Sequence, residues 1–216
     1  MMPDVYFDGQ SMNALGWLRE SVSFPSPKSQ KNTVIVPGRN SPIRFTEALG
    51  RVSYQPRSFT VTLTMLGDRE RFNNMTAEAV NRFSGKPVKV VLVEEPDLYA
   101  LGTLETEPSY DPLTGKGQLV FSCEDADAYR CHVTETSVSI SGSGTVTLNN
   151  DFMPVVPKIA ATADTTLKWK VGKDSFTKTV SAGTWVFPEL ELQAGKNTLT
   201  VTGTGTTTFT YREGRL

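Results

Sequence analysis

One histidine and two cysteines are the first candidates in this chain for nucleophilic chemistry. The histidine is His132, and the thiols are Cys123 and Cys131. A thiol nucleophile needs a base within hydrogen-bond reach and a third group that orients that base. Cys131 directly precedes His132, so in an extended chain the two side chains point apart, which leaves Cys123 as the alternative partner. No oxyanion element accompanies either thiol. We therefore expect a linker histidine and two free thiols.

Two acidic runs could bind a hard cation such as calcium, which takes several oxygen ligands. The runs consist of Glu124, Asp125 and Asp127, and of Glu94, Glu95 and Asp97. Neither has the glycine and the distal glutamate of an EF-hand loop. Glycoside hydrolysis needs two carboxylates across a cleft, and nothing in the sequence marks such a pair. We expect solvated turns, with no metal, no cofactor and no enzymatic activity.

Three aromatic side chains could form a platform on which a sugar ring stacks. They are Trp169, Trp185 and Tyr211. They share the alternation parity of neighbouring apolar residues, which favours burial in a core. Because burial is the favoured outcome, a carbohydrate-binding module or adhesin is only the second functional hypothesis.

Charge and hydropathy narrow the class of protein further. The chain has 216 residues with 22 basic and 23 acidic side chains, a net charge of −1. This balance does not indicate a nucleic-acid-binding stripe, which would cluster lysine and arginine. No apolar run approaches the roughly 20 residues of a membrane helix. The first residues lack the basic and apolar regions of a signal peptide, so we expect a soluble protein made in a cytoplasm, without a membrane anchor.

The first part of the sequence predicts strands crossed by one helix. Apolar Val34–Val36 runs into a turn at Pro37–Asn40, because proline fixes φ and glycine permits positive φ. Alternation resumes at 52–54 and changes parity after Pro56, which predicts one long strand with a bulge or kink. Apolar spacing over about 69–84 predicts a helix that packs on a sheet. The β-branched run 88–93 predicts a strand buried on most of both faces.

The second part has a different composition and a different pattern. From Val133 onward threonine is frequent, and short alternating segments are separated by glycine and asparagine turns. Strands at such spacing predict a β-sandwich or jelly roll. We therefore predict a mainly β protein with an α+β domain at 1–131 and a β-sandwich at 132–216.

Several segments resemble, in order along the chain, the distal tail proteins of long-tailed bacteriophages. The first match is a V-x-V-P-G-R-N turn followed by a Y-x-x-R strand. Its residues are Val34, Val36, Pro37, Gly38, Arg39, Asn40, Tyr54 and Arg57. A hairpin ending in F-x-C then matches Phe121 and Cys123. Asp97 and Tyr99 match the family's D-x-x-Y motif but are closer in sequence than expected. At the exit from the first domain, where the family often has a proline and an aromatic residue, only Tyr129 fits. The segment 190–201 resembles the penultimate hairpin of galectin-like sandwiches, a domain that these phage proteins carry at the C-terminus.

The resemblance implies a structural protein of the virion, located at the tail tip. In that family a tail-tube-like first domain closes into a hexameric ring that docks on the tail tube protein, and a galectin-like second domain radiates outward. The opposite face of the ring holds a tail-tip fibre or lysin carrier, with a receptor-binding protein as a further partner, and DNA crosses the central channel during ejection. Arg39 and Arg57 could bind carboxylates of a neighbouring subunit in bidentate pairs. The residues expected at the subunit interface are Pro37, Gly38, Arg39, Asn40 and Arg57.

Overall fold

The computed structural model describes residues 3–44 and 51–216 of the chain. They fall into two compact units, Met1–Arg130 and Cys131–Leu216. Both units consist mainly of strands, as the sequence predicts, and the described residues contain a single α-helix. Each unit is described by itself below.

The described part of the first unit contains ten strands, a short 3₁₀ helix at Asn13–Leu15 and helix α1. The strands are β1 (Val5–Phe7), β2 (Gln10–Ser11), β3 (Leu18–Ser23), β4 (Thr33–Val34), β5 (Ile43–Arg44), β6 (Arg57–Leu66), β7 (Pro87–Leu92), β8 (Leu98–Thr103), β9 (Glu105–Asp111) and β10 (Lys116–Ala126). One sheet has the order β3-β6-β10-β9, and another contains the order β2-β1-β7-β8. Strands β4 and β5 form a separate two-stranded ribbon.

The core of the first unit is built on the pairing of β6 with β10. The register places Phe121 opposite Val61 and Leu119 opposite Leu63, and all four side chains are fully buried. Because side chains alternate along a strand, the intervening residues of β6 lie on the other face of the sheet. Phe121 also meets the ring of Phe7 edge to face at 4.9 Å between ring centroids.

Two details of the predicted strands are wrong. The long strand through Pro56 does not exist, because β6 begins at Arg57 and residue Tyr54 makes only an isolated bridge to Ser29. The change of parity therefore marks a strand boundary, where proline has no N–H to donate. Strand β7 is not buried on both faces either: Val88 and Val90 are buried, whereas Lys89 between them is exposed.

Helix α1 spans Arg69–Phe83, one residue shorter at its C-terminal end than the sequence predicts. It buries Phe72, Ala79 and Phe83, the face that the apolar spacing indicates. The helix stops because Ser84 is extended and Gly85 adopts φ +69°, a left-handed conformation that glycine accepts without strain.

Asp68 caps the N-terminus of α1, since its Oδ1 accepts a hydrogen bond of 2.7 Å from the amide of Arg71. Replacing Asp68 with alanine leaves that amide without its partner, and we expect the free energy of unfolding to fall by about 1 kcal/mol. Urea denaturation measures the change. Asp68→Asn is the matched control, because asparagine caps as well as aspartate and should retain nearly all the stability. Equal losses in both variants would contradict the capping role.

The second unit is a sandwich of two four-stranded sheets. Its sheet orders are β12-β19-β14-β17 and β13-β18-β15-β16, and the short strands β11 and β20 lie at either end of its sequence. The bounds are β11 (Arg130–His132), β12 (Thr136–Ser141), β13 (Gly144–Asn150), β14 (Lys158–Ala161), β15 (Thr165–Val171), β16 (Asp174–Val180), β17 (Gly183–Val186), β18 (Gly195–Gly203), β19 (Thr206–Tyr211) and β20 (Gly214–Arg215).

Inward-facing residues of both sheets form the core of the sandwich. In one sheet the register places Leu167 opposite Val201 and Trp169 opposite Leu199, and Ile159 of the other sheet is buried with them. At the start of the segment 190–201, Leu190 and Leu192 are buried, but Leu192 makes only an isolated bridge to Val155 and the strand itself begins at Gly195.

Candidate functional surface

The predicted turn at Pro37–Asn40 lies at the tip of the β4–β5 ribbon. Arg39 donates its amide to the carbonyl of Val36 at 3.1 Å, and Gly38 has φ +83°. This is a turn with proline and glycine at its two central positions, the preferred residues of type II. The turn prediction is therefore confirmed, and Pro37, Gly38, Arg39 and Asn40 are all exposed.

The ribbon also exposes apolar side chains that no part of the core covers. Val34 is 49% exposed and Ile35 is 83% exposed. A two-stranded ribbon alone is marginally stable in water, and apolar side chains on it favour contact with another surface. The ribbon is therefore the part of the first unit most suited to protein–protein contact.

Arg57, which the sequence resemblance places at a subunit interface, is buried in a single copy of the chain. The residue is 3% exposed, and among the described residues no acceptor reaches its Nε or Nη2. Burial lowers the pKa of Arg57, and the nearby Arg130 lowers this pKa further, while Glu95 opposes the shift. A buried guanidinium with two nitrogens that find no acceptor among the described residues is costly, because its lost hydration is not replaced by hydrogen bonds there.

The surroundings of Arg57 are polar and aromatic. Arg130 holds Glu95 in a bidentate ion pair, in which one of the two hydrogen bonds measures 3.1 Å. Tyr54 and Tyr129 meet edge to face at 5.9 Å between ring centroids. Burial raises the pKa of Tyr129. The structure thus brings Tyr54 and Arg57 of the predicted motif into one region, while the turn at Pro37–Asn40 belongs to the ribbon.

The sheet β3-β6-β10-β9 has one face that carries mainly hydroxyl, amide and carboxylate groups. This face is opposite to the buried one, as the register of β6 with β3, β10 and β9 requires. Its residues include Ser23, Thr60, Thr62, Thr64, Gln118, Ser122, Glu105, Glu107 and Ser109. Lys116, the basic residue at one end of the face, pairs with Glu20 at 2.8 Å. The sequence shows the parity of these residues but not that four strands unite them into one surface.

Of the residues considered for catalysis, Cys123 belongs to the first unit, whereas Cys131 and His132 belong to the second. Cys123 is buried in the core of the first unit, and desolvation raises its pKa to about 11, the opposite of an activated thiol. In the second unit Nε2 of His132 lies 3.4 Å from Oδ2 of Asp151, a neighbour that the sequence did not indicate. Arg215 also pairs with this carboxylate at 3.1 Å.

The acidic runs are largely engaged in pairs with cations or backbone amides. Arg19 binds Glu94 and lowers the pKa of this carboxyl to about 2. Glu95 pairs with Arg130, and Asp125 accepts the amide of Thr103 at 2.8 Å. Across residues 3–44 and 51–216, no group of three or more histidine, cysteine or acidic side chains is arranged to hold a metal ion.

Two of the three aromatic side chains considered as a sugar-stacking platform are buried in the core of the sandwich. Trp169 and Tyr211 are each 4% exposed, whereas Trp185 is 37% exposed. Trp185 stacks on Phe187, and Trp169 stacks on both Phe187 and Phe176, so the aromatic rings form a continuous row. Only Trp185 is left with enough free surface to stack on a sugar ring.

These features define a two-unit β protein whose notable surfaces are a ribbon and a polar sheet face. None of the described helices is both long enough and apolar enough to cross a bilayer. No protein-family model matches the chain, and no curated protein matches it in sequence.

Comparison with solved structures gives a similarity over the full length. The crystal structure of SPP1 Dit (gp 19.1), described as a paradigm of the hub adsorption apparatus in phages that infect Gram-positive bacteria, has a TM-score of 0.70 to this chain. The match covers 100% of both chains at 14% sequence identity. This chain therefore has the fold of a phage distal tail protein, as the sequence resemblance predicts.

Proposed function

We propose that this protein is the distal tail hub of a long-tailed phage, linking the tail tube to the adsorption apparatus at the tail tip. The observation that carries the proposal is the full-length structural similarity to SPP1 Dit, in both units and in one continuous match. Independent support comes from the sequence motif, because the turn at Pro37–Asn40 forms as that resemblance requires.

In this proposal the first unit, with a boundary near residue 131, closes into a hexameric ring, and the galectin-like second unit radiates outward. Closure into a ring removes exposed sheet edges and covers surface that is exposed in a single copy. The partners are further copies of this chain, the tail tube protein, and a tip, fibre, lysin or receptor-binding protein. The site of action is the virion tail tip.

We assign the polar face of the sheet β3-β6-β10-β9 to the channel through which DNA passes. Thr60, Thr62 and Gln118 on this face carry no charge, Glu105 and Glu107 are acidic, and Lys116 is neutralised by Glu20. A polyanion binds tightly to surfaces rich in free lysine and arginine. A neutral to acidic lining would therefore let DNA slide without being held.

The experiment is negative-stain electron microscopy of the purified protein, alone and with a tail tube protein. Six-fold rings are the expected result, and a 23.7 kDa monomer at every concentration in both preparations would contradict the hub. A glycan array tests the competing carbohydrate-binding module. Since Trp185 is the one exposed ring of the three, specific glycan binding abolished by Trp185→Ala would favour that module.

The ribbon tip allows a sharper test of ring formation. Arg39 lies on an exposed turn of the first unit, where we propose that it meets a carboxylate of the neighbouring copy together with Pro37, Gly38 and Asn40. We expect Arg39→Ala to reduce the fraction of protein in rings by roughly tenfold, since a charge-assisted pair contributes about 1.5 kcal/mol. Lys173→Ala, on an exposed turn of the second unit, is the control. Unchanged assembly in Arg39→Ala would remove this residue from the contact.

For Arg57 we propose an indirect role in the same contact. Its guanidinium is too buried to present a free surface. Its Nε and Nη2 find no acceptor within the described chain, so we propose that a neighbouring copy supplies one.

A further inference from the structure

A small basic pocket lies beyond the end of β3, in a segment that the sequence indicates only as a polar loop. Lys28, Ser29, Lys31 and Gln55 line a pocket of about 370 Å³. Both lysines are exposed, and within the described chain neither has a carboxylate partner. Two unpaired cations at one pocket favour an anionic partner that this copy does not supply.

The segment 28–30 is an ordered continuation of the sheet edge. The amide of Gln55 donates to the carbonyl of Lys28 at 2.8 Å, and the amide of Gln30 donates to the carbonyl of Ser53 at 2.7 Å. These bonds keep the register in which β3 pairs with β6, and the isolated bridge of Ser29 with Tyr54 fits the same ladder. The basic pocket therefore belongs to the β3 edge of the sheet β3-β6-β10-β9.

The opposite edge of this sheet is acidic. Strand β9 exposes Glu105 and Glu107, and no ion-pair partner for either carboxylate lies within the described chain. Pro108 is part of the same strand and cannot donate a ladder hydrogen bond, so simple extension of the sheet by another strand is disfavoured here. A contact at this edge would rely on side chains, and carboxylates are its available groups.

These two features lie at opposite edges of the sheet in one copy, with Lys28 at a register position of the buried face and the two glutamates on the polar face. Their charges are complementary between copies. Three strand spacings separate β3 from β9, about 14 Å, so the lysines do not reach the glutamates of their own chain. A ring is closed by heterologous contacts, in which one edge of a subunit meets the other edge of the next. Opposite charges at opposite edges are what such a contact needs.

The two charged features are also offset along the strands. Glu105 lies opposite Ser122, which pairs with Thr60, whereas Lys28 lies opposite Gln55, five positions further along. Five residues of strand span about 17 Å. A neighbouring copy must therefore be displaced by about this length along the strand direction for the two features to meet.

Resting on the proposed ring, we propose that Lys28 and Lys31 of one copy bind Glu105 and Glu107 of the next copy. The occupant of the basic pocket is thus the acidic β9 edge of a second copy of this chain. The pairing fixes the direction of assembly as well as its affinity, because two basic edges or two acidic edges repel each other.

Zero-length carbodiimide cross-linking tests the contact directly. An equal mixture of ¹⁴N- and ¹⁵N-labelled protein is treated, digested and examined by mass spectrometry. We expect mixed-isotope peptides that join Lys28 or Lys31 to Glu105 or Glu107. The pair Lys116 and Glu20, 2.8 Å apart in one chain, is the internal control and should give cross-links without isotope mixing. Intermolecular cross-links that leave out either edge would overturn the pairing.

Charge reversal supplies the second test. K28E/K31E and E105K/E107K should each assemble at least tenfold less than wild type, because each places like charges at every contact. In a ring in which the two variants alternate, every contact is again complementary in charge, and rings should return. Reversed variants that assemble alone, or a mixture that stays dissociated while wild type forms rings, would overturn this pairing and leave the hub intact. If the wild type forms neither rings nor the cross-link, both the proposed hub and the proposed edge pairing are contradicted.

Discussion

Replacing Phe121 with alanine is expected to lower the free energy of unfolding of the first unit by about 3–5 kcal/mol. The side chain is fully buried, and its ring packs edge to face against Phe7 and Phe83 at centroid distances of 4.9 and 6.5 Å. Truncation removes the apolar surface and leaves a cavity that the paired strands β6 and β10 cannot close, because their register is fixed on both sides. No larger loss is expected from any other single substitution considered for this chain.

Hydrogen exchange with peptide mass spectrometry measures this loss for each unit separately. Amides of β6 and β10 should exchange faster by a factor of roughly 10²–10³, whereas amides of β15 and β18 in the second unit should keep their rates. Leu113→Ala is the control, since this side chain is 95% exposed on the β9–β10 turn and should change stability by less than about 0.5 kcal/mol. Similar losses in both variants would show that Phe121 does not anchor the core.

The position of Phe121 could be predicted from the sequence because it depends on a short-range pattern. Leu119, Phe121 and Cys123 occupy every second position of the strand, and the structure buries all three while Val120 and Ser122 between them stay partly exposed. Helix α1 could be predicted for the same reason, since its apolar spacing and the Gly85 stop are local. The mainly β fold and the resemblance to phage distal tail proteins follow from such segments taken in order.

Features that depend on distant parts of the chain could not be predicted. The segment 28–31 is polar and contains no strand pattern, yet it extends the β3 edge because residues 53–55 offer it a partner. The sequence placed Arg57 in a strand but could not show that the fold removes it from water. In the same way both Trp169 and Trp185 alternate in step with neighbouring apolar residues. Strand β17, however, is the edge strand of its sheet and leaves Trp185 partly exposed.

The second large effect concerns Arg57, for which we expect Arg57→Met to stabilise the isolated protein by about 1–4 kcal/mol. A guanidinium that is 3% exposed has lost its hydration, and Nε and Nη2 find no acceptor among the described residues. Arg130 adds repulsion, which Glu95 offsets only in part because Arg130 already holds this carboxylate. Methionine fills a similar volume with an unbranched apolar chain. Urea denaturation of the two proteins measures the difference.

Arg130→Met is the matched control, because it removes the neighbouring guanidinium and breaks the ion pair with Glu95. The side chain of Glu95 is 44% exposed and can return to water, so this variant should differ from wild type by about 1 kcal/mol or less. If Arg57→Met instead lowered the free energy of unfolding by more than about 1 kcal/mol, the charge of Arg57 would be satisfied inside the folded chain. A contact between copies would then not be needed to explain its burial.

Ring formation by Arg57→Met then separates a structural role from a role between copies. A buried cation whose cost is not met among the described residues can be compensated by a contact that forms only between copies. If Arg57→Met is more stable but forms fewer rings, the missing acceptor lies on the neighbouring copy, as the sequence resemblance implies for this residue. If it is more stable and forms rings as wild type does, the subunit contact is carried by the ribbon and the charged edges without Arg57.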